Sequence, residues 1–159
     1  MTNITNQLNI IRKHQSNPPI LTRAITDELG LSLFGVTNWP DNISGKIIKD
    51  QNSTSGYAIY VNEKHAEVRK RFTIAHEIAH YILHKDLIGN GITDDGLYRS
   101  GLSNSVEAAA NKLAADILMP WHLINQAIKE GLDTLTLLAN HFRVSQTAMA
   151  IRLGIPNES

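Results

Sequence analysis

Arg71-Phe72-Thr73-Ile74-Ala75-His76-Glu77-Ile78-Ala79-His80 is the stretch from which the rest of this chain is read. Ile74, Ile78 and, just beyond, Ile82 recur every four residues with Ala75 and Ala79 beside them, so the spacing predicts a helix over 66–84. A helix turns about 100° per residue, which puts His76 and His80 one turn apart and within about 40° of each other. Two imidazole nitrogens on one face can reach one metal ion. Glu77 lies beside them, where a carboxylate takes a proton from water instead of binding the metal. The competing reading is a surface helix that carries His-Glu-x-x-His by chance, because the pattern is short.

A catalytic zinc typically has three protein ligands, so a third is sought. A ligand six residues after the second His, beyond a glycine bend, is excluded: Leu83 takes the glycine position and Asp86 the ligand position. His84 lies a further turn along, about 80° around the helix from His76, and is expected to pack or cap the helix end. Asp94 and Asp95, in a glycine-rich connection, stay open. Glu107 is the better candidate. It sits in the first turn of a second strong helix, 104–118, in the run Val106-Glu107-Ala108-Ala109-Ala110-Asn111, whose alanines let two helices approach closely. Asn111 is one turn further on the same face, where its amide oxygen can accept the free ring N–H of a ligating His. Against this stands the plain alternative of an acidic residue favoured by a helix N-terminus.

Composition restricts the chemistry. The chain has 159 residues, 42% of them hydrophobic, which suits one ordinary domain over 1–159. It has no cysteine, so thiolate metal sites, disulfides and a cysteine nucleophile are excluded, and any metal must be held by His, Asp or Glu. The formal net charge is zero, which argues against a general electrostatic grip on nucleic acid or an anionic membrane. The opening MTNITNQLNIIRKHQS has no basic start followed by an apolar block, and no apolar run nears the roughly 20 residues of a membrane span. A cytoplasmic location is the expectation.

The remaining periodicities place helices at 4–14 and 20–30, the second closed by Gly30. Pro40 and Asp41 mark a turn, and Gly45–Ile48 and Tyr57–Val61 read as strands. Gly89, Gly91, Gly96 and Gly101 define a loose connection. Pro120 ends the second strong helix, and shorter helices fill 121–130 and 134–154. The expected class is α+β, a helical body with a small antiparallel sheet.

Taken together, Arg71-Phe72-Thr73-Ile74-Ala75-His76-Glu77-Ile78-Ala79-His80 and Glu107-Ala-Ala-Ala-Asn111-Lys-Leu-Ala114-Ala115-Asp-Ile-Leu118-Met119-Pro120 closely resemble the ImmA/IrrE family of metallopeptidases, whose form is RFTxAHExxH followed by ExxANxFAAxLLMP. The likeness extends upstream to Gly45 and the strand ending Val61-Asn62. Downstream it reaches Ala139, Phe142, Val144-Ser145 and Arg152-Leu153. Leu113 replaces the usual Phe and Ala109 a frequent Glu, neither at a proposed ligand. The resemblance implies a zincin-like active-site helix, Zn2+ held by His76, His80 and Glu107, and Glu77 as general base. It also implies a protein substrate, a helix-turn-helix repressor or antitoxin-like partner, and in some members a toxin–antitoxin setting. Tyr57, Tyr60, Tyr98 and His122 are candidates to stabilise an oxyanion. The strand Tyr57–Val61 is a candidate to pair with an extended peptide.

Two rival readings accompany this one. The first is a metal-containing module that regulates a partner by contact; an intact His-Glu-x-x-His argues against it, since a pure binder has no need of Glu77. The second is DNA binding, because residues 137–153 read like a helix-turn-helix. Its second helix carries only Arg152 as a cation, with Arg143 in the turn, which favours packing or partner contact over DNA.

Overall fold

The computed structural model describes residues 3–95 and 103–156, apart from the side chains of Asp94 and Asp95. Gly96, Tyr98 and Gly101 lie outside the described residues. In chain order the elements are α1 (Ile4–Lys13), α2 (Thr22–Leu29), β1 (Ser32–Val36), β2 (Ile43–Lys49), β3 (Tyr57–Asn62), α3 (Glu67–Leu83), β4 (Ile92–Asp95), α4 (Asn104–Leu118), α5 (Trp121–Lys129), α6 (Leu135–Phe142) and α7 (Gln146–Leu153), with a short 3-10 turn at Lys85–Leu87. The α+β class holds. Among the described residues no helix is long and apolar enough to cross a membrane.

Local chemistry accounts for the helix ends. The side chains of Asn3, Ser103, Thr134 and Ser145 each accept an N–H of the first turn of α1, α4, α6 and α7. Gly30 and Gly154 close α2 and α7 in the left-handed conformation that glycine adopts freely. Pro120 separates α4 from α5 and stands at the N-terminal boundary of the latter, where a missing N–H costs nothing.

The sheet differs from the expectation in one respect: it is mixed. Its order is β1-β3-β2-β4, with β2 antiparallel to both β3 and β4 but β1 parallel to β3. The β2–β3 hairpin turns through the polar loop 50–56 and folds back so that β3 falls between β2 and β1. β3 is therefore a central strand with both ladder sides occupied, and it has no free edge for a peptide. Asp94 and Asp95 belong to β4 and not to a loop, their backbones beside Gly45 and Ile43 of β2.

α3 lies across this sheet. Ile47, Ile59 and Val61 of the strands join Ile74, Ile78 and Ile82 of the helix in one buried cluster. α3 also meets α4, and Ala75 and Ala79 of the one and Ala110 and Ala114 of the other are all fully buried. Side chains this small permit close helix approach. Arg71 secures the arrangement at the N-terminal end of α3. Buried, it donates from Nη1 to the Ile20 carbonyl (2.8 Å), from Nε to the Arg143 carbonyl (3.0 Å) and from Nη2 to the Phe142 carbonyl (3.3 Å). One guanidinium thereby ties the segment before α2 and the α6–α7 turn to α3.

The helix-turn-helix-like pair within 134–154 is α6 and α7, joined through Arg143, whose φ of 53° makes the left-handed bend. The Arg152 side chain of α7 points into the molecule. It bonds Asp116 Oδ1 (2.8 Å) and the Met119 carbonyl (2.9 Å) and lies over the Trp121 ring.

Gly45 sets how closely β2 approaches α3. A Cβ there would stand 2.5 Å from Thr73 Cγ2 and 3.2 Å from the Tyr60 carbonyl oxygen, with Glu77 Cγ next at 3.5 Å. Gly45→Ala is expected to cost about 1–3 kcal/mol of stability by overpacking. Adding Thr73→Ser, which removes the clashing methyl, should recover part of the loss. Urea unfolding of the two variants measures this, and a double variant no more stable than Gly45→Ala would refute the close-approach account.

Candidate metal centre

Two helices supply the centre. α3 presents His76 and His80 one turn apart, and α4 brings Glu107 from its first turn, where a carboxylate also complements the helix N-terminus. His76 Nε2 stands 3.2 Å from Glu107 Oε2, and His80 Nε2 stands 3.3 Å from Glu107 Oε1. The imidazole rings meet edge to face with centroids 4.6 Å apart. All three residues are buried, and their ligand atoms lie within 4.8 Å of one another. This His-His-Glu group can hold a metal ion.

The donor set has the chemistry of a zinc site. Two nitrogens and one carboxylate are the ligand types zinc accepts in the absence of thiolates. Burial would raise the Glu107 carboxyl, but its hydrogen bonds and electrostatic contacts with His76 and His80 outweigh it. The group is held well below the usual carboxylate range.

The outer nitrogen of each imidazole is engaged as well. Asn111 Oδ1 lies 2.8 Å from His76 Nδ1. An amide oxygen only accepts, so Nδ1 carries a proton, and Nε2 is the nitrogen that faces Glu107 and would serve a metal. His80 Nδ1 lies 3.0 Å from His84 Nδ1. Burial and the neighbouring His80 lower the His84 pKa, which keeps its ring neutral and able to accept. The helical spacing sets His84 aside as a ligand and predicts that it packs or caps the helix end. It is the cap of α3, with φ −129° and ψ 31°, and its ring meets His80 besides. The recoverable signal is the four-residue step from His80 to His84, the same step that links His76 to His80.

Glu77 is fully buried beside this group, on the side where β2 passes at Gly45. The other candidates lie as follows. Asp86 is exposed in the 3-10 turn. Tyr57 packs edge-on against Tyr81, and Tyr60 against Phe34 of β1. His122 Nε2 hydrogen-bonds the Gln15 carbonyl at 3.0 Å. Tyr98 is outside the described residues.

A family model for peptidases, described as the IrrE N-terminal-like domain, matches residues 40–154, a span that contains every residue of this centre. Among solved structures, a Mycobacterium tuberculosis transcriptional regulator is similar with a TM-score of 0.62 and 17% identity, over 98% of this chain and 47% of the other. The chain thus spans about half the length of that protein, and at this identity the likeness shows the fold alone. No curated protein matches the chain.

The geometry makes two predictions about metal. Glu107→Ala is expected to lose zinc affinity, whereas Asp86→Ala, Asp94→Ala and Asp95→Ala keep it; competition with a chromogenic chelator measures each. An Asp variant that loses zinc while Glu107→Ala binds normally would overturn the ligand set. Asn111→Ala and His84→Ala are each expected to weaken zinc binding by about 10–100-fold in a folded protein, as loss of a ligand's supporting partner does. Unchanged affinity in the same titration would reduce both contacts to packing.

Proposed function

The chain belongs to the IrrE N-terminal-like family of peptidases, and from that premise we propose that it is a zinc-dependent endopeptidase acting on a protein partner. The observation that carries the reading is the buried His76–Glu107–His80 group with Glu77 adjacent to it on α3. Zinc, when bound, supplies a Lewis acid that acidifies water and polarises a carbonyl. His76, His80 and Glu107 would hold it. Asn111 and His84 fix the two rings, so little reorganisation is needed on binding. Glu77 carries the proton traffic. Its carboxylate takes a proton from the attacking water and returns it to the departing amine, as the new C–O bond forms and the C–N bond breaks.

For the substrate we propose a helix-turn-helix repressor or an antitoxin-like partner. This rests on the family and on a similar structure being that of a transcriptional regulator. Direct DNA binding is disfavoured by Arg152, the lone cation of α7, which is bonded to Asp116 and the Met119 carbonyl. A regulator that acts by contact alone would keep its metal and its partner but would have no use for Glu77.

Glu77→Gln separates the two. The variant is expected to fold and bind zinc like the parent, and to lose cleavage of a co-encoded repressor by at least about 100-fold. Gel analysis of zinc-loaded protein incubated with that repressor reads the outcome. Undiminished cleavage would remove Glu77 from the mechanism, and no cleavage by the parent chain, despite complex formation, would favour the contact regulator.

A further inference from the structure

α3, α4 and α7 border a groove of about 790 Å³ whose lining includes Asn111. Its floor is apolar, built from Phe72, Ala115, Met119 and Ala148, and Ile151 of α7 stands at its edge with 69% exposure. Three cations line it and no acidic side chain does among the described residues; Arg152 is turned inward to Asp116, which leaves Arg69 and Lys112 as the cations that face a partner. Asp116 offsets part of this charge from outside the lining, pairing with Arg152 at 2.8 Å and Lys112 at 3.4 Å. Arg69 bonds only a neutral group in the groove's surroundings, the Ser44 hydroxyl at 3.1 Å. The chain as a whole has zero formal charge, so this positive rim is a local concentration.

We propose that this groove docks an amphipathic helix of a protein partner, with an apolar face flanked by Asp or Glu. Three observations select that occupant. The apolar floor calls for aliphatic or aromatic side chains, and exposed Ile151 extends it. The cationic rim calls for carboxylates on either side. The walls are helices, whose backbone groups are already bonded within themselves. An extended peptide would bury its own N–H and C=O groups there without partners, whereas a helix satisfies them internally.

The groove also reaches Asn111, whose Oδ1 holds His76 Nδ1. A docked helix therefore touches the residue that orients one metal ligand. Docking needs neither metal nor hydrolysis, so its test is independent of the peptidase reading.

The test is fluorescence anisotropy with a labelled helical peptide carrying Leu at i, i+3, i+4 and i+7 and Glu on both flanks, against the same peptide with Lys in place of Glu. The Glu peptide is expected to bind the wild-type chain at least about 10-fold more tightly than the Lys peptide. Ala148→Trp, which fills the groove, should weaken it by about 10-fold or more. Lys112→Glu, a surface change that leaves the core intact, should weaken the Glu peptide and strengthen the Lys peptide. Circular dichroism confirms that each variant is folded; if Ala148→Trp is not, Ile151→Asp takes its place with the same expectation. Absence of binding, equal binding of the two peptides, or indifference to Lys112→Glu overturns the proposal.

Discussion

Four ionisable side chains, His76, Glu77, His80 and Glu107, are buried between two helices and a sheet, and the surrounding structure is organised by what that burial costs. Removing a carboxylate from water is expensive by several kcal/mol unless partners replace the lost hydration. Here Glu107 reaches both imidazoles, one oxygen to each, and the imidazoles reach outward to Asn111 and His84. Such a network requires α3 and α4 to approach closely, and the small, fully buried side chains Ala75, Ala79, Ala110 and Ala114 permit it. Larger side chains there would part the helices and strand the charges. The same logic applies on the sheet side, where Gly45 brings β2 close to Thr73 and Glu77.

How much of this could be read beforehand depended on whether the determinant was local. The helix carrying His76 and His80 was legible because isoleucines at four-residue spacing and two histidines one turn apart are properties of a single segment. Glu107 and Asn111 were legible for the same reason: a four-residue step places both on one face of α4. Strands β2 and β3 were visible from their apolar runs and the polar loop between them. Strand β1 was not, because Ser32-Leu33-Phe34-Gly35-Val36 is short, contains a glycine and has no clean alternation; pairing with β3 makes it a strand. β4 is more extreme. Its Asp94 and Asp95 are poor strand formers, held in place by the ladder to β2. The parallel β1–β3 pair could not be foreseen at all, since strand order is decided by tertiary packing. His84 caps α3 as expected, but the meeting of its ring with His80 Nδ1 was not legible in advance.

Arg71 shows how a residue outside the metal group can govern it. It sits five residues before His76, and its guanidinium collects three backbone carbonyls from two distant segments. Left without it, those carbonyls would be under-satisfied in a dry environment, and the α6–α7 turn would lose its anchor. Burial lowers the Arg71 pKa, yet an arginine stays charged, which makes it better suited than lysine to a planar, three-acceptor site.

That anchor bears on why the C-terminal pair resembles a helix-turn-helix. The spacing of Leu138, Ala139, Val144 and Ala148 describes two helices packed at an angle through a tight turn, and the structure has them. A DNA reader must leave the outer face of its second helix to solvent with cations free for phosphate. α7 instead turns Arg152 inward to Asp116 of α4, and Arg71 fixes the turn from α3. The pair is thus braced against the two helices that form the metal group. One open face of the pair is the partly apolar wall that includes Ala148 and Ile151. Helix-turn-helix spacing encodes how two helices meet, whereas what they bind depends on the charges of the second helix, and the one cation of α7, Arg152, is engaged with Asp116 and the Met119 carbonyl.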